Sequence, residues 1–211
     1  MKLADHSVAS FVDTLASNAP APGGGSCAAL EGALGVALTA MVASLTQGRK
    51  KFEAYAPFAA EAEAKANALK AALVDVIDRD TEAFNAVSAA FALPKDTDEQ
   101  KSVRSAAIQQ ALKGCTETPM EMLRLMDKSI ALTAELMSRG YNDSAASDLG
   151  VAFASLKTGL QGAWLNVLIN IGSIKDEQFV AACRTEGEKI LARAIPVADE
   201  GLAKVFALLD A

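Results

Sequence analysis

The chain has 211 residues, 51% hydrophobic but only 5% aromatic, and 26 acidic against 20 basic side chains give it a formal net charge of −6. That length can bury a substantial core in one domain, and the acidic balance excludes nucleic acid as a general partner, since phosphates would meet no basic excess. Cys27, Cys115 and Cys183 are odd in number and widely spaced, which excludes a disulfide framework and reads as small buried hydrophobes in a reducing compartment.

Met1 to His6 has no apolar signal-peptide core, so a cytoplasmic location is expected. Ser7 to Ser17 carries Val8, Phe11, Val12 and Leu15 at helical spacing. Next comes Pro20-Ala21-Pro22-Gly23-Gly24-Gly25-Ser26. The prolines force an extended entry and the glycines bare their N–H groups. Ser26 is expected to cap the following helix. The stretch suits either a hinge or an anion cradle at a helix N-terminus; it has neither phosphate-loop nor dinucleotide spacing. From Ser26 to Thr46 the residues are mostly small, and between Cys27 and Leu45 only Glu31 is charged. Ala and Gly rather than Leu and Phe make this a buried core or interface helix and not a membrane span. Gln47-Gly48-Arg49-Lys50-Lys51-Phe52 follows as a basic turn, by default a solvated one.

Pro57 to Ala92 reads as one helix, stopped by Leu93-Pro94. Leu69, Leu73, Val76, Phe84, Val87 and Phe91 fall on one narrow arc, with Asp80 at its centre. A carboxylate in an apolar seam is costly unless paired or put to use. Thr97 and Gln100 form a capping box for a helix to about Lys113. Thr118-Pro119 opens a separate helix ending at Arg139-Gly140. A polar loop, Tyr141 to Asp148, precedes a nearly uncharged helix from Ser147 to Ile171, in which Lys157, Asn166 and Asn170 need partners. Asp176-Glu177 starts a last helix to Leu209, which Pro196 should kink or divide. No stretch shows strand alternation. The expected architecture is all-α: residues 1–211 as a single-domain bundle of long antiparallel helices.

The one histidine, His6, is terminal, so histidine-based triads are improbable. Glu-x-x-His pairs and zinc-spaced cysteines are absent. What remains is metal-free chemistry by Asp80, Asp143, Asp148, Asn142, Asn166, Asn170, the glycine stretch and Arg49 to Lys51. Desolvation of Asp80 would raise its pKa and fit it to shuttle a proton near neutral pH. No substrate follows from the residues alone.

Pro20 to Ser26, Gly48 to Phe52, Asp78-Arg79-Asp80-Thr81-Glu82-Ala83-Phe84, Leu93-Pro94-Lys95, Ser147-Asp148 and Asn166-Val167-Leu168-Ile169-Asn170 occur in one order across nearly the whole chain. Together they resemble the cyclodeaminase/cyclohydrolase family, which comprises the cyclodeaminase half of formiminotransferase-cyclodeaminase and the stand-alone methenyltetrahydrofolate cyclohydrolases. The resemblance implies an all-helical subunit, a folate substrate without a further cofactor or metal, and a homodimer or dimer-based oligomer with its site near the subunit interface. It also implies a separate formiminotransferase as a partner, and neither nucleic acid nor membrane. The catalytic aspartate implied is Asp80. Implied substrate contacts are Gly23, Gly24, Gly25 and Ser26 on the pterin or a carboxylate, Arg49, Lys50 and Lys51 on the glutamate tail, and Asn142, Asp148, Asn166 and Asn170 as orienting groups. Where relatives have Gly-Asn before the Ser-Asp block, this chain has Tyr141-Asn142. The implied activity is cyclisation of 5-formiminotetrahydrofolate with ammonia release, hydrolysis of 5,10-methenyltetrahydrofolate to 10-formyltetrahydrofolate, or both. The alternative is a folate-binding or structural oligomer that keeps the fold without turnover.

Overall fold

A computed structural model describes residues 2–210. Among them there are six α-helices and no strand: α1 Val8–Leu15, α2 Gly24–Thr46, α3 Ala56–Phe91, α4 Asp98–Arg139, α5 Ala146–Ile171 and α6 Glu177–Leu209. The all-α expectation holds. Ser7 caps α1 by accepting from Ser10 N–H, the Thr97–Gln100 capping box opens α4, and Asp176 caps α6 by accepting from Phe179 N–H.

The central element is α2, packed between α3 and α5. Its approach to α5 is closer than side chains would permit. A Cβ on Gly159 would lie 2.8 Å from the Ala28 carbonyl oxygen and 2.9 Å from Gly32 N. A Cβ on Gly35 would lie 3.0 Å from the Ala152 carbonyl oxygen. The small residues are thus a packing device. The helix is long and apolar enough to cross a membrane, with a mean hydropathy of 1.7, yet 56% of that window is buried inside the bundle.

Three expectations need correcting. The helix begins at Gly24 with Gly23 as the capping residue, so Ser26 lies inside the first turn and caps nothing. Residues 98–139 form one helix of 42 residues rather than two, with Pro119 inside it. A proline there cannot donate to the carbonyl four residues back, which is that of Cys115. The Asn170 side chain supplies the missing donor, its Nδ2 lying 2.9 Å from the Cys115 carbonyl oxygen. Tertiary contact thereby offsets a local breaker. Likewise Pro196 leaves α6 undivided.

The third correction concerns the apolar arc of α3. Leu73 and Val76 are buried, but Phe84 is 41% and Phe91 51% exposed. After Ile77 on α3 and before Leu112 on α4, only Ala90 is buried. The two helices leave the bundle together as an antiparallel hairpin. Asp80 therefore sits where α3 departs from the core, at the edge of the seam and not in the middle of a buried one.

Candidate active site

At that point of departure lies a cleft of about 290 Å³, lined by residues that include Gly23, Gly24, Gly25, Asp80, Thr81, Phe84, Cys115, Asn166, Ile169 and Asn170. Four helices build it, and the N-terminus of α2 forms one wall. The first intrahelical bond of α2 runs from Cys27 N–H to the Gly23 carbonyl. The N–H groups of Gly24, Gly25 and Ser26 are accordingly free of helical partners, as in any first turn, and lend the wall positive character.

Glycine at position 25 is dictated by Asp80. A Cβ there would collide with the Asp80 carboxylate, both oxygens included. Glycine at 24 is less constrained, since its Cβ would meet Asn166 Nδ2 at 3.5 Å. The glycines thus serve close approach within a helix rather than the freedom of a loop. Ser26 is fully buried behind them. Its Oγ lies 3.1 Å from the Ile77 carbonyl oxygen and 3.1 Å from Asp80 Oδ2. Ser26 belongs to the support of Asp80 and does not line the cleft.

The neighbouring aspartates are occupied elsewhere. Asp75 pairs with Arg79, which also clasps Glu121, and Asp78 accepts from Leu3 N–H at 2.6 Å. Asp80 has no cation partner among the described residues. Burial pushes its pKa above the ordinary carboxylate value, and hydrogen bonds from the Ser26 side chain and backbone only partly oppose this. The result is a desolvated carboxylate braced by one hydroxyl and facing open space. That combination suits proton transfer.

Asn166 and Asn170 complete the opposite wall. Asn166 Nδ2 donates to the Gly162 carbonyl at 2.9 Å, and Asn170 Nδ2 to that of Cys115. With both amide nitrogens tethered, both amide oxygens are without a hydrogen-bond partner among the described residues, and both residues line the cleft. Phe84 and Ile169, the latter 74% exposed, supply apolar surface.

The remaining sequence candidates lie at the other end of α2. That helix has 23 residues, so its ends are separated by about 34 Å at 1.5 Å per residue. Arg49 and Lys50 line a separate surface depression, and Lys51 is paired with Asp143 at 3.0 Å. Asn142 is buried and clips the end of α2. Its N–H donates to Thr46 Oγ1, its Nδ2 donates to the Leu45 carbonyl, and its Oδ1 accepts from Ser144 N–H. Asp148 lies in the first turn of α5, 22 residues before Asn170. The basic cluster, Asn142 and Asp148 are thus outside the Asp80 cleft of their own subunit. Tyr141 packs beside them and cannot shape that cleft either.

Sequence reasoning missed Thr81, Phe84, Ile169 and Cys115 as lining residues. Phe84 and Thr81 were discoverable, standing four residues and one residue beyond Asp80 on the same helix. Cys115 gave no such signal, because its place in the lining depends on α4 meeting α5, where Asn170 Nδ2 reaches its carbonyl. Its thiol pKa is raised, first by burial and then by the Asp80 charge. No cluster of three or more metal-binding side chains occurs among the described residues.

Comparison with known proteins finds relatives over nearly the whole chain. Residues 7–189 match the family model described as formiminotransferase-cyclodeaminase. The methenyltetrahydrofolate cyclohydrolase of Methylorubrum extorquens is 41% identical over 190 residues, covering 90% of this chain and 91% of that protein. The formimidoyltransferase-cyclodeaminase of Rattus norvegicus is 35% identical over 192 residues, covering 91% of this chain but only 35% of that longer protein. The crystal structure of formiminotetrahydrofolate cyclodeaminase from Thermotoga maritima superposes with a TM-score of 0.84 at 28% identity, covering 95% of this chain and 96% of that one.

Proposed function

The chain belongs to the formiminotransferase-cyclodeaminase family and is an enzyme of folate one-carbon metabolism, and we propose that the Asp80 cleft is where it acts on a tetrahydrofolate carrying a one-carbon unit at N5 and N10. The observation that carries this reading is the placement of Asp80: desolvated, without a cation partner, braced by Ser26 and facing a cleft with fixed donors and acceptors. A cofactor other than the folate substrate has no part in it.

Hydrolysis of 5,10-methenyltetrahydrofolate is the first reading, favoured by the 41% identical cyclohydrolase that matches this chain over nearly its full length. Asp80 as carboxylate takes a proton from water as the oxygen attacks the methenyl carbon. As the resulting carbinolamine collapses, its hydroxyl proton is released, the carbon–N5 bond breaks and Asp80 returns its proton to N5, leaving the formyl group on N10. Ser26 suits both stages. It donates to the charged carboxylate; when Asp80 is protonated, Ser26 Oγ accepts from it and donates to the Ile77 carbonyl. Cyclodeamination is the second reading, favoured by the Thermotoga neighbour. There Asp80 takes the N10 proton as N10 attacks the formimino carbon and delivers one to the departing ammonia.

The first-turn N–H groups of α2 would hold acceptor atoms of the pterin, and the Asn166 and Asn170 oxygens its N–H groups. A cytoplasmic location and a dimer-based assembly are part of the same proposal. For the second reading, a separate formiminotransferase would supply the substrate. Incubation of the purified protein with each folate, following methenyl absorbance, tests it. Faster-than-spontaneous loss from the methenyl compound supports hydrolysis, and appearance from the formimino compound supports cyclodeamination. No change in either sinks the catalytic reading.

A further inference from the structure

Of the described residues lining the cleft, only Thr81 carries a hydroxyl, and neither reaction above uses it. A threonine inside a helix can spend its O–H on the carbonyl four residues back. Thr39, Thr46, Thr116 and Thr133 all do so. For Thr81 the corresponding acceptor is the Ile77 carbonyl. Inside α3 that oxygen takes the backbone N–H of Thr81, and it also lies 3.1 Å from Ser26 Oγ. Both of its lone pairs are thereby engaged. The Thr81 hydroxyl makes no bond to it, and its one contact among the described residues is Ser26 Oγ at 3.4 Å.

Proton counting gives that contact its direction. Ser26 has one hydroxyl proton and two neighbours that only accept, the Ile77 carbonyl and the Asp80 carboxylate. It has no proton to give Thr81, so Thr81 donates to Ser26 and keeps both lone pairs unclaimed. Ser26 Oγ then has Asp80 Oδ2 at 3.1 Å and Thr81 Oγ1 at 3.4 Å. At the roughly tetrahedral angle of a hydroxyl, these two oxygens stand about 5 Å apart. One water spans such a gap with two ordinary hydrogen bonds of about 2.8 Å. Asp80 and Thr81 both line the cleft.

We propose that Thr81 is a further catalytic residue of the hydrolysis, holding the attacking water together with Asp80. One water proton points to the Asp80 carboxylate and the other to Thr81 Oγ1, which leaves an oxygen lone pair for the methenyl carbon. As that pair forms the carbon–oxygen bond, Asp80 takes the first proton and the O–H electrons stay on oxygen. The second proton remains on the new hydroxyl, held by Thr81, until the carbinolamine collapses. Thr81 itself neither gains nor loses a proton. This role rests on the hydrolysis reading, since cyclodeamination brings its own nucleophile in N10.

Thr81→Val keeps the β-branch and the shape but removes the acceptor. With 5,10-methenyltetrahydrofolate its kcat is expected to fall by about 10²-fold, as for a reactant set about 1 Å out of place. KM should not change, because the lost contact is to water and not to folate. Thr81→Ser restores the oxygen and should recover most of the rate. An unchanged kcat in the valine variant, a loss expressed in KM alone, or a serine variant as slow as the valine one overturns the proposal. Crystals of the wild type and of Thr81→Val, grown without folate, give a readout that needs no turnover. The wild type should show a water within about 3.2 Å of both an Asp80 carboxylate oxygen and Thr81 Oγ1. The variant should lose that water while Asp80 stays in place. A wild type without it overturns the proposal, as does an Asp80 that moves in the variant, which would make Thr81 a brace for Ser26. If the wild type does not hydrolyse the methenyl compound, the hydrolysis reading fails and the role in attack with it, while the crystals still decide whether the two residues hold a water.

Discussion

The two ends of α2 are equally crowded with polar groups but differ in what those groups have left to offer. At the C-terminal end Asn142 uses its N–H, its amide nitrogen and its amide oxygen to fasten Thr46, Leu45 and Ser144, and Lys51 is held by Asp143. At the N-terminal end Gly24, Gly25, Asp80, Asn166 and Asn170 line a cleft, and the two glycine N–H groups, the carboxylate and the two amide oxygens keep hydrogen-bonding capacity unused. Polar density alone makes structure. A site needs polar groups held rigidly, partly desolvated and short of partners.

Substitutions at the cleft end should therefore act on turnover. Asp80→Asn is expected to lower kcat by roughly 10²- to 10⁴-fold, the range for loss of a general acid–base group, with the helical circular dichroism unchanged. Its effect on stability carries the opposite sign. Burial raises the Asp80 pKa above the ordinary 3.8. The stability this group contributes is therefore present below that value and lost as pH rises through the raised one. The variant should melt above wild type at neutral pH, and the gap should close as pH falls towards 4. A lower melting temperature at neutral pH would break the picture of a desolvated carboxylate.

Gly25→Ala separates position from chemistry. Alanine favours a helix by about 1 kcal/mol over glycine, but here its Cβ would displace the Asp80 carboxylate. A loss of about 10²-fold in kcat is expected, as for a displacement of about 1 Å. Gly24→Ala, whose Cβ meets Asn166 only at ordinary contact distance, should lose far less. Equal losses for the two would show that glycine flexibility matters and not the approach of Asp80.

How much of this was legible in the sequence depended on the range of the interaction. The apolar period located α3 and placed Asp80 on its arc, because helix faces are set by local geometry. Whether that arc was covered was not legible: Phe84 and Phe91 keep the helical pattern, yet α3 has already left the bundle there. The Thr118-Pro119 signal was read as a helix start on good local grounds, and the Asn170 side chain, 55 residues from Cys115, overrode it. The glycine stretch and Asp80 were linked by resemblance, and the structure supplies the physical reason in the missing Cβ of Gly25. The basic turn was joined to the same site by the resemblance alone, although the helix expected from Ser26 to Thr46 already put about 30 Å between them.

At the far end of α2 the expected damage is to stability. Asn142→Ala removes two side-chain hydrogen bonds, to the Leu45 carbonyl and from Ser144 N–H. At about 1 kcal/mol each the loss is about 2 kcal/mol, or roughly 4–8 °C in Tm for a domain of this size. An unchanged Tm would mean that this end is not fastened as described.

The smallest effect is a coupling, and it tests why Asn170 stands in the cleft at all. Pro119 has no N–H, so the Cys115 carbonyl depends on Asn170 Nδ2. Asn170→Ala leaves that carbonyl short of a donor, at a cost of about 1 kcal/mol or somewhat more if it stays dry. Pro119→Ala returns a backbone N–H to the helix four residues after Cys115. In that background the same Asn170→Ala change should cost about 1 kcal/mol less, a non-additivity readable by urea denaturation of the four proteins in the cycle. Activity should not follow stability: the double variant regains its carbonyl partner but still lacks the amide oxygen on the cleft wall, so its KM should remain raised. Full recovery of KM along with stability would reduce Asn170 to a splint for α4 and leave Asn166 as the amide acceptor on that wall.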